Sequence, residues 1–341
     1  MPRTVTLAAG LETSALGFGC AGLFREPTRS RRLRLLETAY ELGIRHFDVA
    51  PMYGLGMAER ELGRVVRGQR DSVVIATKFG IEPTPVARQL ARVQAPIRRL
   101  LRAIPTLRQQ MMSRAGGPES GAAGALLYTS SGYDRASARA SLETSLREIG
   151  TDYVDLLLLH DPTPGTVRSG DVCAFLEDAR HAGHIRTWGI AGDPVPTLEV
   201  ARSLRGVVPV LQLRDDIFLR SLRSLQPAPE SGLITFGAIG RPLSQLVTYV
   251  TAEPERHQRW IAALGADCGD PSTLAPLLLR DAFRENVNGT VLFSTIRAER
   301  IRAAARVADA GPDGQDGALD AFRALVEAES TITRSTTKSR R

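Results

Sequence analysis

The chain has 341 residues, 43% hydrophobic and 24% charged, which excludes a disordered polymer and supplies core for one large domain or two medium ones. Its formal charge is +7 with a pI near 9.8; spread over so long a chain, this suits an anionic ligand such as a dinucleotide phosphate without indicating nucleic-acid binding. Cys20, Cys173 and Cys268 are too few and too distant for a disulfide framework or a metal cluster, and no apolar run matches an export leader or a membrane span, so the expected setting is a reducing cytoplasm.

In chain order, residues 4–14 alternate weakly around Ala9-Gly10 and predict a small hairpin. Residues 15–20 form a first strand. Gly17 to Gly22 matches G-x-G-x-x-G, but Glu12-Thr13-Ser14 precede it and Pro27 interrupts the segment after it, so the stretch reads as a strand and a flexible loop, not a dinucleotide fingerprint. A helix opens after Thr28 with Leu33, Leu36 and Tyr40 on one face and stops at Gly43. The second strand ends at Asp48 and spills into a loop carrying Tyr53. A helix from Met57 to about Arg67 leads to a β-branched third strand ending at Lys78.

Lysine usage makes that residue conspicuous: of 44 basic residues only Lys78 and Lys338 are lysines. Where arginine serves almost every generic positive charge, a lysine at a strand end points to a role that needs a compact ammonium.

Residues 81–134 are too long for a simple βα connection. From Leu90, Val93, Ile97, Leu100, Ile104, Leu107 and Met111 step by three and four against an arginine-rich side, which predicts amphipathic helix split at Pro96 and Pro105. This reads as an accessory insertion on the barrel or over its mouth, in preference to a membrane-surface or partner-binding helix. Order resumes at Asp134 with a helix carrying Leu142, Leu146 and Ile149 up to Gly150. A doubly apolar strand, 153–159, then ends at His160. A helix near 171–182, Gly183 and a strand Ile185 to Ile190 come next, with further strands at 207–213, 233–236 and 290–293.

Eight strands alternating with helices predict a single (β/α)8 TIM barrel over residues 1–310, with an N-terminal hairpin and a helical insertion after strand three. Residues 311–341 add one helix near 318–328 and a basic tail. Asp48, Lys78 and His160 then stand at the C-terminal ends of strands two, three and four, with Tyr53 in the loop beside them. Each alone would be assigned to capping or packing; four complementary groups on one rim point to a reaction centre.

These segments, Phe47-Asp48 with Tyr53-Gly54, the strand to Lys78, Thr151 to Asp155 through His160, and the strand near Gln212, resemble the aldo-keto reductase family over roughly residues 15–305. The resemblance implies a barrel oxidoreductase that moves a hydride between a nicotinamide, NADP(H) in preference to NAD(H), and an aldehyde, a ketone, or the corresponding alcohol or sugar hemiacetal. It implies a tetrad of Asp48, Tyr53, Lys78 and His160. In it Tyr53 is the general acid/base with its pKa lowered by Lys78, Asp48 holds the lysine, and His160 orients the carbonyl oxygen. Gln212 matches the position that holds the nicotinamide carboxamide and Phe236 an aromatic that stacks on the ring. The family's Ser-Asn pair is Ala191-Gly192 here, leaving backbone groups or water. Thr295 and Arg300, with Arg297 as a further contact, match the segment that grips the 2'-phosphate, where the family's lysine is Ser294. Two other readings use the same barrel: a non-catalytic NADP(H)-binding regulatory or interaction subunit, and a lyase or isomerase using Lys78 as a Schiff-base nucleophile.

Overall fold

The computed structural model describes residues 2–92, 127–167, 170–204, 208–225, 230–311 and 316–329. Strands β1 (Thr4–Ala8) and β2 (Leu11–Ser14) form the antiparallel hairpin, turning at Ala9-Gly10. The barrel strands are β3 (Leu16–Gly19), β4 (His46–Asp48), β5 (Val74–Phe79), β8 (Val154–His160), β9 (Ile185–Gly192), β10 (Val210–Arg214), β11 (Gly232–Phe236) and β12 (Thr290–Phe293). They pair in parallel in that order and β12 closes on β3, so all eight strands read from the sequence form one closed barrel.

Long strands such as β8 are apolar on both faces because one side fills the barrel and the other receives a helix. Inside, Val74, Ala76, Leu156, Leu158, Val210 and Ile234 pack together, and Leu7 and Leu11 of the hairpin join them. Outside, Phe18, Phe47, Ile75, Leu157 and Ile190 meet helical residues such as Leu36, Leu62, Leu142 and Leu176. The recurrent join of helix, glycine and strand has a backbone cause: Gly43, Gly150 and Gly183 adopt φ of 84°, 78° and 78°, the left-handed conformation that ends a helix at little cost only for glycine. Asp155 anchors the N-terminal side of β8, accepting from the Ile75 N–H at 2.9 Å and from Arg70 at 2.7 Å.

Local details differ from the expectation or add to it. Helix Arg29–Glu41 buries Leu36 of the expected face and leaves Leu33 and Tyr40 half-buried, its inward side being completed by Arg32, Leu35 and Ala39. The reason is that Arg32 is a buried partner of Glu61 (Nε and Nη2 to the carboxylate at 2.7 and 2.6 Å), a charged residue on an inward face that periodicity counts as polar. The expected loop after β3 is a 3-10 turn, Cys20–Arg25, with Cys20, Gly22 and Leu23 buried. The insertion opens and closes as an antiparallel ribbon of β6 (Ile81–Pro83) and β7 (Tyr128–Ser130), with helix Pro85–Arg92 after β6. The rest of its helical pattern, Val93 to Met111 with Pro96 and Pro105, and the tail 330–341 lie outside the described residues.

The β11–β12 connection carries three helices, Gly240–Thr251, Pro254–Leu264 and Pro271–Glu285. They share a separate core with the C-terminal helix Gly317–Ala328, in which Phe322 meets Trp260 edge-on at 6.2 Å. No helix among the described residues is long and apolar enough to cross a membrane.

Candidate functional site

β4 ends at Asp48, and the chain leaves the barrel through Val49, whose N–H bonds Ala76 of β5 at 2.8 Å. Tyr53 opens a tight turn, Tyr53–Gly56, in which Gly54, Leu55 and Gly56 all have positive φ (60°, 59° and 86°). Leu55 costs about 1–2 kcal/mol in that region, so the surrounding structure over-determines the turn and with it the place of the phenol.

Lys78 of β5 reaches into this corner and is 2% exposed, beside Asp48 at 3%. Its Nζ lies 2.7 Å from both Asp48 carboxylate oxygens, 3.2 Å from the Val49 carbonyl and 3.4 Å from the Tyr53 hydroxyl. His160, at the end of β8, places its ring 6.2 Å from that of Tyr53 at 88°, edge to face. Its main-chain carbonyl accepts from the Tyr133 hydroxyl, and its Nδ1 is buried with no hydrogen-bond partner among the described residues. The four residues named from the sequence therefore stand in one cluster.

Opposing forces set the protonation states. Burial pushes the Tyr53 phenol up to about 12; Lys78 pulls it back, but Asp48 sits on the same ammonium and offsets much of that pull. Lys78 lowers the phenol as expected, but burial outweighs it, so Tyr53 holds its proton at neutral pH. Burial also pulls Lys78 down, but Asp48 and then the phenol outweigh it and keep the amine above its ordinary value. His160 is held well below the usual imidazole range, first by burial and then by Lys78, so its ring is neutral.

Gln212 of β10 joins this cluster. Its Nε2 donates to Asp48 Oδ2 at 2.8 Å, while its Oε1 is buried with no partner among the described residues. In register beside it on β9 are Ala191, opposite Gln212, and Gly192, opposite Leu213. The Ala191 carbonyl accepts from the Asp161 N–H at 2.7 Å, and a methyl built on Gly192 would stand 2.7 Å from Asp161 Oδ1 and 2.9 Å from Thr197 Oγ1. Phe236 ends β11 below the Arg214 guanidinium, 5.8 Å from its ring centre. Thr295, Arg297 and Arg300 come after β12: Thr295 Oγ1 accepts from the Arg297 N–H at 3.3 Å, and helix Ala298–Asp309 begins next. Both arginines are exposed.

Asp161 and Thr197 were not among the residues read from the sequence. Asp161 has φ 50°, unusual for a non-glycine residue, and its Oδ2 lies 3.9 Å from His160 Nε2. Its signal was its place directly after His160. Thr197, in helix Pro194–Ser203, has a hydroxyl buried without a partner among the described residues; the short turn from β9 into that helix brings it beside Gly192.

The fold is thus a closed parallel barrel with a buried lysine–carboxylate pair facing a phenol at its C-terminal rim. The chain belongs to the aldo/keto reductase family, whose profile it matches over residues 15–217. It is 33% identical over 192 residues to a D-threo-aldose 1-dehydrogenase of Pseudomonas sp, covering 54% of this chain and 51% of that protein. It is 45% identical over 74 residues to a pyridoxal 4-dehydrogenase of Microbacterium luteolum, covering 21% and 22%. The matched part thus spans about half or less of these relatives' lengths. The fold is similar to the holo form of an aldo-keto reductase from Bacillus halodurans, with a TM-score of 0.68 at 20% identity, over 95% of this chain and 96% of that one.

Proposed function

We propose that the protein is an oxidoreductase that transfers a hydride between a nicotinamide cofactor, NADP(H) in preference to NAD(H), and a carbonyl carbon or the corresponding alcohol or sugar hemiacetal. The observation that carries this reading is the buried Lys78 ammonium, held at 2.7 Å by Asp48 and facing the Tyr53 hydroxyl at 3.4 Å. Such a unit delivers one proton and stabilises the phenolate left behind. The bound cofactor would supply or accept the hydride.

In the reductive direction Tyr53, protonated because burial raises it, gives its proton to the substrate oxygen as charge develops there. Lys78 stays charged throughout and stabilises the phenolate, while Asp48 fixes the ammonium. His160, neutral in its buried setting, hydrogen-bonds the same oxygen and orients it. Oxidation runs the same proton path backwards, with Tyr53 as base.

The site fits a nicotinamide: Gln212 has a buried carbonyl oxygen at the rim with no partner among the described residues, suited to accept from a carboxamide. Ala191 and Gly192 lie beside it with no polar side chain of their own, and Phe236 offers a ring at the end of β11. Thr295, Arg297 and Arg300 supply a hydroxyl and two guanidinium groups for the 2'-phosphate that distinguishes NADP(H). An aldose dehydrogenase among the relatives supports the hemiacetal side of the substrate range. The Schiff-base alternative is weakened, because an amine kept charged by Asp48 is a poor nucleophile.

The test is to incubate purified protein with NADPH and a panel of aldehydes and ketones, and with NADP+ and a panel of aldoses, with NADH and NAD+ in parallel. Turnover with preference for the phosphorylated cofactor is expected. Tight NADP(H) binding without any turnover would replace this reading with that of a regulatory subunit.

A further inference from the structure

β12 and β3 are neighbours in the barrel, in register from Val291 opposite Leu16 to Phe293 opposite Phe18, so their C-terminal ends open side by side. One runs into Ser294 and on to helix Ala298–Asp309; the other runs into the turn Cys20–Arg25. Gly22 marks where they meet. A methyl built on it would stand 3.0 Å from Ser294 Oγ, 3.1 Å from Arg25 Nη2 and 3.4 Å from Arg25 Nε. The Arg25 guanidinium thus folds back into the space a side chain at position 22 would fill, next to Ser294.

Arg25 is exposed, and no ion pair or side-chain hydrogen bond among the described residues engages it. The same holds for Arg297 and Arg300, a few residues past Ser294. The acidic neighbour Glu26 is turned elsewhere, accepting from the Thr28 N–H at 2.8 Å and lying 4.0 Å from Arg31. Elsewhere arginines close on carboxylates, as Arg32 does on Glu61 and Arg220 on Asp281. Several uncompensated guanidinium groups flanking the ends of two adjacent strands form a positive surface that an anion would neutralise.

We propose that Arg25 is a phosphate-binding residue of the dinucleotide site, supplying from the β3 side the positive charge that Ser294 does not supply on the β12 side. The inference rests on the cofactor reading above. It also assigns a role to Gly22, whose missing side chain makes room for the guanidinium. A dinucleotide offers two phosphate chemistries, the pyrophosphate shared by NAD+ and NADP+ and the 2'-phosphate of NADP+ alone.

The experiment is isothermal titration calorimetry of the full chain and its Arg25→Gln and Arg25→Lys variants with NADP+, NAD+ and 2',5'-ADP, beside melting curves without ligand. Loss of a charge-assisted contact is expected to weaken NADP+ binding by about tenfold or more, with Lys restoring most of it and unliganded melting unchanged. An equal loss for NAD+ places Arg25 on the pyrophosphate, and a loss confined to NADP+ and 2',5'-ADP places it on the 2'-phosphate; both uphold the proposal. Unchanged affinity for all three ligands in Arg25→Gln overturns it while leaving the cofactor reading intact. A wild-type chain that binds no dinucleotide overturns that reading and this one together.

Discussion

Replacing Lys78 by methionine keeps the length of the side chain and removes its charge, stranding the Asp48 carboxylate at 3% exposure with Gln212 Nε2 as its remaining side-chain donor. Both oxygens of that carboxylate lose a 2.7 Å contact to the ammonium. Breaking a buried ion pair from one side costs about 3–5 kcal/mol, because the orphaned charge keeps its desolvation penalty. Lys78→Met is therefore expected to lose about that much stability in urea unfolding near neutral pH. The Asp48→Asn/Lys78→Met double variant, with no buried charge left, should recover about 2 kcal/mol of it. The pH dependence has a definite sign. The wild-type lysine lies above its ordinary value when folded, so its contribution is fully present below the unfolded lysine value and constant through neutral pH. A loss below about 1 kcal/mol near neutral pH would mean that the pair is solvated and would refute the buried-pair reasoning.

His46 lies inside the barrel wall with neither ring nitrogen bonded among the described residues, and burial pulls it down to about 4. Its neutral form belongs to the folded state, so stability is complete above the unfolded imidazole value and falls as pH drops toward 4, by about 3 kcal/mol. Melting temperatures of wild type and His46→Gln across that range should diverge in slope, with the variant flatter; parallel curves would count against it. Asp134 caps helix Arg135–Ile149, accepting from the Ala136 and Ser137 N–H groups; Asp134→Ala should cost about 1 kcal/mol in urea unfolding. In the ligand-free protein the Tyr53 phenol should stay protonated up to about 12. The ultraviolet difference between wild type and Tyr53→Phe reads this directly, and phenolate appearing near the ordinary tyrosine value of about 10 would show that Lys78 outweighs burial.

The barrel was legible because its strands are short apolar runs ending in Asp48, Lys78 and His160, and because helix, glycine and strand recur at Gly43, Gly150 and Gly183. Periodicity assigns charge to the outside, so Arg32 on a buried face stayed hidden: its partner Glu61 is 29 positions away. The ribbon of β6 and β7 pairs residues 49 apart, Ile81 with Ser130, and short segments with such distant partners leave little local pattern. At the site, residue types and strand ends brought the four side chains together, but not the balance of forces on them. The sequence pairs Tyr53 with Lys78, whereas the direction of the phenol's shift depends on burial and on how much of the ammonium's field Asp48 absorbs. Asp161 was marked only by its place after His160, and Arg25 by nothing local, since each stands against a glycine, Gly192 or Gly22, whose missing side chain makes room for it.

The most direct test of the proposed chemistry compares wild type and Tyr53→Phe for kcat on the best carbonyl or hemiacetal substrate, with NADP+ affinity measured calorimetrically on the same preparations. Phenylalanine keeps the ring and removes only the proton that Lys78 faces. If Tyr53 carries that proton, kcat should fall by about 10²–10⁴-fold while cofactor affinity holds. A variant that turns over within about tenfold of wild type would contradict it, moving proton transfer away from Tyr53.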